Sequence, residues 1–124
     1  MGEFGDNNVK PRLKLWLSSD ESDNSFGDGK WRLLEAIDKA DSLKSTCDKL
    51  GISYRKAWGN LKDAEECLKF PLVEKSRGGK THGHSNLTER GRAWVEAYSK
   101  FHREVEDALE VAYKNHLEKF ESEK

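Results

Sequence analysis

The sequence has no long run of apolar residues and little cysteine, and each absence excludes a class of protein. No apolar stretch approaches the roughly 20 residues that cross a bilayer, and residues 1–11 lack the apolar core of a signal peptide. Two cysteines are too few for a disulfide framework. These absences predict a cytoplasmic protein of one folded domain with no membrane partner.

The sequence also lacks the motifs of common enzyme classes. It shows no nucleophile set beside a histidine and an orienting acid, and its glycine-rich stretch lacks the Lys-Ser/Thr and helix that complete a phosphate-binding loop. His82-Gly83-His84 offers two imidazoles with no third metal ligand in sequence reach. We therefore predict a protein that is not an enzyme and that holds no metal ion or cofactor.

Charge is unevenly distributed along the chain. The formal net charge is only −1. Residues 53–92 nevertheless carry nine basic against five acidic side chains, a net of +4, whereas the segments before and after carry −2 and −3. A basic middle third indicates a surface for nucleic-acid phosphates.

Apolar periodicity predicts a strand followed by helices. Leu13, Leu15 and Leu17 alternate with Arg12, Lys14 and Trp16, and this period of two is typical of a half-buried strand. From Asp28 to about residue 41 the spacing changes to that of a first helix. Residues 1–11 are predicted to be a flexible leader, and residues 122–124 a flexible tail.

Capping residues then predict a helix-turn-helix. Ser42 is placed to cap a short second helix that Gly51 ends, and Ser53 to cap a third helix that Pro71 ends. Two helices joined by the tight turn at residues 51–53 have the layout of a DNA-binding helix-turn-helix.

A hairpin and a long helix complete the predicted fold. Residues 72–76 and 85–87 read as two strands around a glycine-rich loop, which predicts a wing. Thr88 is placed to cap a helix that continues to about Phe120. The predicted fold class is mostly α with a small β-sheet, namely a winged helix-turn-helix over residues 12–88 and a dimerisation helix over residues 89–121.

The third helix and the wing carry the predicted DNA contacts. Arg55 is suited to base edges, Lys62 to a phosphate, and Gly59 to a close approach of the backbone. Tyr54 and Trp58 lie at the flank of the apolar face, where they can seal the core or stack on the DNA backbone, and we favour the core. The predicted DNA-binding set is Ser53, Tyr54, Arg55, Lys56, Gly59, Lys62, Arg77, Gly78, Gly79, Lys80, His82 and His84.

The last helix has a heptad-like apolar seam and is longer than the domain can cover. Its first part can pack on its own domain, whereas its second part projects beyond the domain and needs a partner. We therefore predict a homodimer, which would present two recognition helices to double-stranded DNA. The predicted dimerisation residues are Trp94, Tyr98, Phe101, Val105, Ala108, Leu109, Ala112 and Leu117.

Three motifs resemble one known family. Residues 51–58 (GISYRKAW), residues 77–80 (RGGK) and residues 87–91 (LTERG) together resemble the N-terminal domain of ModE-type molybdate-responsive regulators. The similarity covers about residues 12–115, and the Leu-Thr-x-x-Gly element is shared with LysR-type regulators. The resemblance implies a winged-helix dimer held by long helices, here without the molybdate-binding domains of the family.

The leading functional hypothesis is therefore a sequence-specific DNA-binding transcriptional regulator. One alternative is a winged-helix module for protein interaction, which the acidic and aromatic last helix favours. Another is a redox or metal sensor that gates DNA binding through Cys47, Cys67, His82 and His84, although Cys47 lies among apolar partners that are typical of a buried structural thiol.

Overall fold

A computed structural model describes residues 9–40, 42–75 and 85–122 of the chain. Its fold is mostly helical with two small antiparallel sheets. In chain order the elements are β1 Trp16–Ser18, β2 Ser25–Gly27, α1 Asp28–Lys39, α2 Leu43–Leu50, α3 Tyr54–Leu68, β3 Val73–Lys75, β4 Ser85–Leu87, α4 Glu89–Tyr113, a π-helical turn Lys114–Glu118, and α5 Lys119–Ser122. Across the described ranges, no helix has the length and apolar content needed to span a bilayer.

The chain divides into two compact units. The larger is Leu15–Tyr98, and the smaller comprises residues 9–14 and 99–122 of the described chain. Residues 89–98 of α4, which the sequence assigned to a separate dimerisation helix, belong to the larger unit. In the smaller unit the hydroxyl of Tyr113 donates a hydrogen bond to the carbonyl oxygen of Val9 at 3.0 Å, so part of the predicted leader contacts a helix.

The first strand is shorter than the sequence predicted, and its partner was missed. A strand was expected from Arg12, but β1 begins at Trp16 and pairs antiparallel with β2 in the register Leu17 to Phe26. The alternation of Leu13, Leu15 and Leu17 with more exposed neighbours is present. Only Trp16–Ser18 pair with β2, so only these three residues form a strand.

The predicted helix caps are confirmed. The hydroxyl oxygens of Ser42 and Ser53 each accept a hydrogen bond from the backbone amide three residues further along the chain, at 3.0 Å. Gly51 ends α2 with a left-handed φ of 69°, which a glycine adopts without steric cost. Thr88 accepts from the amide of Gly91 at 2.8 Å. Each capped amide is one that the helix itself cannot satisfy.

Phe26 lies at the centre of the core of the larger unit. Its ring meets those of Trp94 and Tyr98 edge-on, with centroids 5.4 and 5.0 Å away. The Tyr98 hydroxyl donates to Asp28 at 2.7 Å, and the other carboxylate oxygen of Asp28 accepts from the amide of Leu15 at 3.3 Å. Burial is the main cause that raises the pKa of Tyr98, and the hydrogen bond to Asp28 is the second. The phenol therefore stays protonated. Its hydrogen bond links the first turn of α1 to α4.

The start of α4 packs directly on backbone. The amide of Thr88 donates to the carbonyl oxygen of Leu72 at 2.9 Å, and the Thr88 hydroxyl donates to that of Pro71 at 2.8 Å. A β-carbon at Gly91 would lie 2.3 Å from the same Leu72 oxygen, inside any allowed contact. The Leu-Thr-x-x-Gly motif therefore has a structural reason, namely a cap and a close approach of helix to chain.

Replacing Gly91 by alanine should destabilise the protein. The methyl group would push α4 away from Leu72, at a cost of about 1–3 kcal/mol for overpacking. Urea unfolding followed by circular dichroism should show a lower midpoint with an unchanged slope. The matched control is Gly29→Ala, because a β-carbon at Gly29 would meet no atom within 4 Å. Equal midpoints for the two variants would contradict this packing argument.

Candidate nucleic-acid interface

The inner face of α3 fixes the helix against the core. Ala57, Leu61 and Ala64 are at most 1% exposed. Two of the three are alanines, and their small side chains let α3 pack closely on its neighbours. One side of α3 is thus buried in the interior.

The opposite side of α3 is exposed along its length. We use the name α3 outer face for the exposed residues Ser53, Tyr54, Arg55, Lys56, Gly59 and Lys62. Arg55, Gly59 and Lys62 follow one another at spacings of four and three, so they form a single stripe. All six were predicted from the sequence as DNA contacts, and whether they contact DNA stays a prediction.

The cations of the α3 outer face are not neutralised within the described chain. Among residues 9–40, 42–75 and 85–122, no ion pair or hydrogen bond involves the side chain of Arg55, Lys56 or Lys62. Arg55 and Lys56 also lie in the first turn, where the helix dipole adds positive potential. This half of α3 therefore presents positive charge to solvent.

The acidic residues of α3 are all engaged internally. Asp63 forms an ion pair with Lys30 of α1. Glu65 accepts from the amides of Leu72 and Val73, at 2.7 and 3.3 Å.

The third acid, Glu66, accepts from the side-chain amide of Asn24 at 2.7 Å. Glu66 shares the stripe of Arg55 and Lys62 but was not among the residues predicted for this surface. Glu66 follows Gly59 by seven residues, or about two helical turns, and this spacing could have placed it on the stripe.

The aromatic pair at the start of α3 differs from the sequence interpretation. Tyr54 is 45% exposed and does not seal the core, so that interpretation is wrong for Tyr54. Trp58 is half-buried and packs on the core cluster, as predicted. The two rings meet edge-on at 6.2 Å. Tyr54 is first in the helix, where its side chain extends past the end of the buried face.

The β3–β4 hairpin is attached to the end of α3. Its strands pair antiparallel with Glu74 opposite Asn86, and the two hydrogen bonds from Glu65 hold the start of β3. Lys69 ends α3 in a left-handed conformation, with φ of 68°. The predicted wing contacts Arg77, Gly78, Gly79, Lys80, His82 and His84 lie outside the described residues.

The predicted dimerisation residues fall into three groups. Trp94 and Tyr98 pack in the core of the larger unit, so both side chains are engaged within their own chain. Val105 and Leu109 are half-buried in the smaller unit. The remaining residues are exposed, namely Phe101, Ala108, Ala112 and Leu117. Val111, 58% exposed, and Phe120, 62% exposed, extend this apolar surface.

The two cysteines differ in environment. Cys47 is 4% exposed, and burial, reinforced by the charge of Asp48, raises the pKa of its thiol. Cys67 is partly buried at the edge of the core cluster. Within the described ranges, no group of three or more histidine, cysteine or acidic side chains is placed to hold a metal ion.

Comparison with known proteins gives partial matches. No protein-family model matches the chain. It is 32% identical over 85 residues to the molybdenum-pterin-binding protein MopA of Rhodobacter capsulatus, and 31% identical over 86 residues to the molybdenum transport protein ModE of Azotobacter vinelandii. It is 29% identical over 80 residues to the transcriptional regulator ModE of Haemophilus influenzae.

These alignments cover 68%, 69% and 64% of this chain but only 32%, 32% and 31% of the three relatives. The chain thus matches about a third of the length of the curated relatives. At this level it is similar to a group that includes transcriptional regulators.

The resemblance drawn from the motifs needs correction. We expected the N-terminal winged-helix domain of ModE-type regulators, set apart from any molybdate-binding domain. Relatives named as molybdenum-pterin-binding proteins, however, match the region that this chain comprises. The identification as the N-terminal domain of ModE-type regulators without their molybdate-binding domains is therefore wrong, and the comparisons support similarity to Mop and ModE proteins.

Cys47 should resist alkylation in the folded protein. The thiolate is the reactive form, and burial both disfavours it and blocks access. After brief treatment with iodoacetamide at pH 8, peptide mass spectrometry should find any modification at Cys67, with Cys47 reacting only after urea is added. The control is Cys67→Ser, which should leave no rapidly reacting thiol. Rapid native labelling of Cys47 would instead support the redox-sensor alternative.

Proposed function

We propose that this chain is a sequence-specific duplex-DNA-binding transcriptional regulator that acts as a homodimer. In this proposal α2 and α3 form a helix-turn-helix, and α3 enters the major groove. The β3–β4 hairpin is the wing, which lies on the sugar-phosphate backbone or in the minor groove. The observation that carries the proposal is the α3 outer face, where three cations lack an internal partner within the described chain.

The residues of the α3 outer face have distinct proposed roles. Arg55 lies in the first turn, and its planar guanidinium can donate two hydrogen bonds to one guanine. Lys62 lies two turns further and carries a compact charge suited to a phosphate oxygen. Base contacts give sequence preference, whereas phosphate contacts add affinity for any duplex.

The homodimer is supported by the exposed apolar side of the last helices. Phe101, Ala108 and Ala112 share one stripe of α4, and Leu117 continues the apolar surface beyond it. The same stripe from a second copy would remove these surfaces from water, which gives a two-fold symmetric contact. Two copies of α3 would then address two half-sites on the DNA.

A second candidate function is binding of molybdate or a molybdenum-pterin compound. The names of MopA and MopB favour it, because these proteins match the region present here. Equilibrium dialysis against molybdate, with and without a pterin, followed by elemental analysis tests it directly. Retained molybdenum near one equivalent per chain supports this function, and none above a control protein eliminates it.

Arg55 and Lys62 should respond differently to truncation. On a duplex selected from genomic fragments, Arg55→Ala should weaken the binding free energy by about 1–3 kcal/mol and reduce the preference for that duplex over random DNA. Lys62→Ala should weaken both duplexes alike and reduce the slope of log K against log salt by about one. Fluorescence anisotropy at several salt concentrations measures both effects.

The matched control is Lys39→Ala, an exposed lysine at the end of α1 and outside the proposed helix-turn-helix. Equal losses on selected and random DNA for both test variants would refute the assigned roles. A wild-type affinity that does not change with salt would refute DNA binding itself. No binding at low salt, together with tight self-association, would favour the protein-interaction alternative.

An acidic residue on the exposed apolar stripe should dissociate the dimer. Ala108→Glu places a charge at an exposed position, where the monomer tolerates it but a symmetric apolar contact does not. Sedimentation equilibrium should show the wild type as a dimer and the variant as a monomer. Arg103→Glu adds acid to the opposite side of α4 and should leave the dimer intact. A wild type that sediments as a monomer would overturn the proposed assembly.

A further inference from the structure

Gly59 is a glycine that the described fold does not require. A β-carbon built there would meet no atom within 4 Å. Its backbone is ordinary right-handed helix, since Gly51 is the one glycine with positive φ in the described ranges. Gly91 is the contrasting case, because its β-carbon would clash with Leu72.

A glycine inside a helix lowers the stability of the helix. It is less favourable than alanine there because its backbone loses more conformational freedom on folding. Gly59 is the sixth of the fifteen residues of α3, well away from both ends. A residue that weakens the helix and relieves no clash is best explained by a contact outside the chain.

The surroundings of Gly59 indicate what that contact is. Arg55 lies one turn before it and Lys62 one turn after it, on the same exposed stripe. The helix backbone at Gly59 therefore forms the floor of a notch between two cationic side chains. A notch of this kind fits a polyanionic surface that approaches closely, as a duplex groove does.

We propose that Gly59 sets the depth at which α3 sits in the major groove, and so determines specificity. This inference rests on the DNA-binding function proposed above. A β-carbon at residue 59 would hold the helix backbone away from the groove and withdraw Arg55 from the base edges. Lys62 would still reach a phosphate, because its ammonium is a compact charge on a flexible stem and needs no fixed planar geometry.

The test is Gly59→Ala, with Gly29→Ala as its matched control. Gly29 is also a helical glycine whose β-carbon would meet nothing within 4 Å, but it lies in α1. Thermal unfolding by circular dichroism and anisotropy titrations on the selected and random duplexes are measured for both variants and the wild type.

Gly59→Ala should raise Tm by about 2–6 °C, as expected for alanine in place of a helical glycine. It should weaken binding to the selected duplex about tenfold, the loss expected for one base contact, and change binding to random DNA little. Gly29→Ala should leave both affinities as in the wild type. A gain in stability with a loss of specificity is an outcome that misfolding cannot produce.

Each other outcome identifies what has failed. Wild-type affinity and preference in Gly59→Ala would overturn the role of Gly59 while leaving DNA binding intact. A lowered Tm would overturn the premise that the position is open. A wild type that binds no duplex would overturn the proposed function, and the depth-setting role with it.

Discussion

Burial of one side of α3 in the core is the constraint on which the proposed site depends. Ala57, Leu61 and Ala64 hold one side of the helix inside the larger unit. The ion pair of Asp63 with Lys30 and the hydrogen bonds of Glu65 to β3 then fix its rotation and its end. With one side fixed, the residues on the opposite stripe can face only solvent or a partner. A rigid helix of this kind suits recognition, because side chains held in place lose less entropy on binding.

The same contacts explain how a chain with a net charge of −1 can present a basic surface. The acids of α3 are used to attach the helix to α1, to Asn24 and to the hairpin. The side chains of Arg55 and Lys56, in the first turn of α3, form no ion pair or hydrogen bond within the described residues. Charge is thereby sorted by structural role, and net charge is a poor guide to the surface that a partner would meet.

Local signals predicted much of the fold, and long-range contacts account for what was missed. Caps at Ser42 and Ser53 depend on residues three positions apart, so the sequence alone located them. Strand β2 depends on pairing with β1 and on Phe26, whose ring neighbours lie about seventy residues further along the chain. A three-residue strand beside a polar stretch has too little periodicity to be recognised before its partner is known.

The site was predictable to a different degree at each position. Helical spacing placed Arg55 and Lys62 on one stripe, because that geometry is local. The exposure of Tyr54 depends on where the buried face of α3 ends, which is a property of packing. The engagement of Glu66 depends on Asn24, more than forty positions away. Spacing therefore defines which residues share a face, while packing decides which of them remain available to a partner.

The smaller unit shows the same division of a helix into two sides. Tyr113 is buried, and its hydroxyl is bonded to Val9, while Val105 and Leu109 on the same side are partly covered. Ala108 and Ala112 lie on the adjacent, exposed side. The alanine-bearing side is therefore the one that the proposed dimer would use, since small residues there allow close approach of two helices.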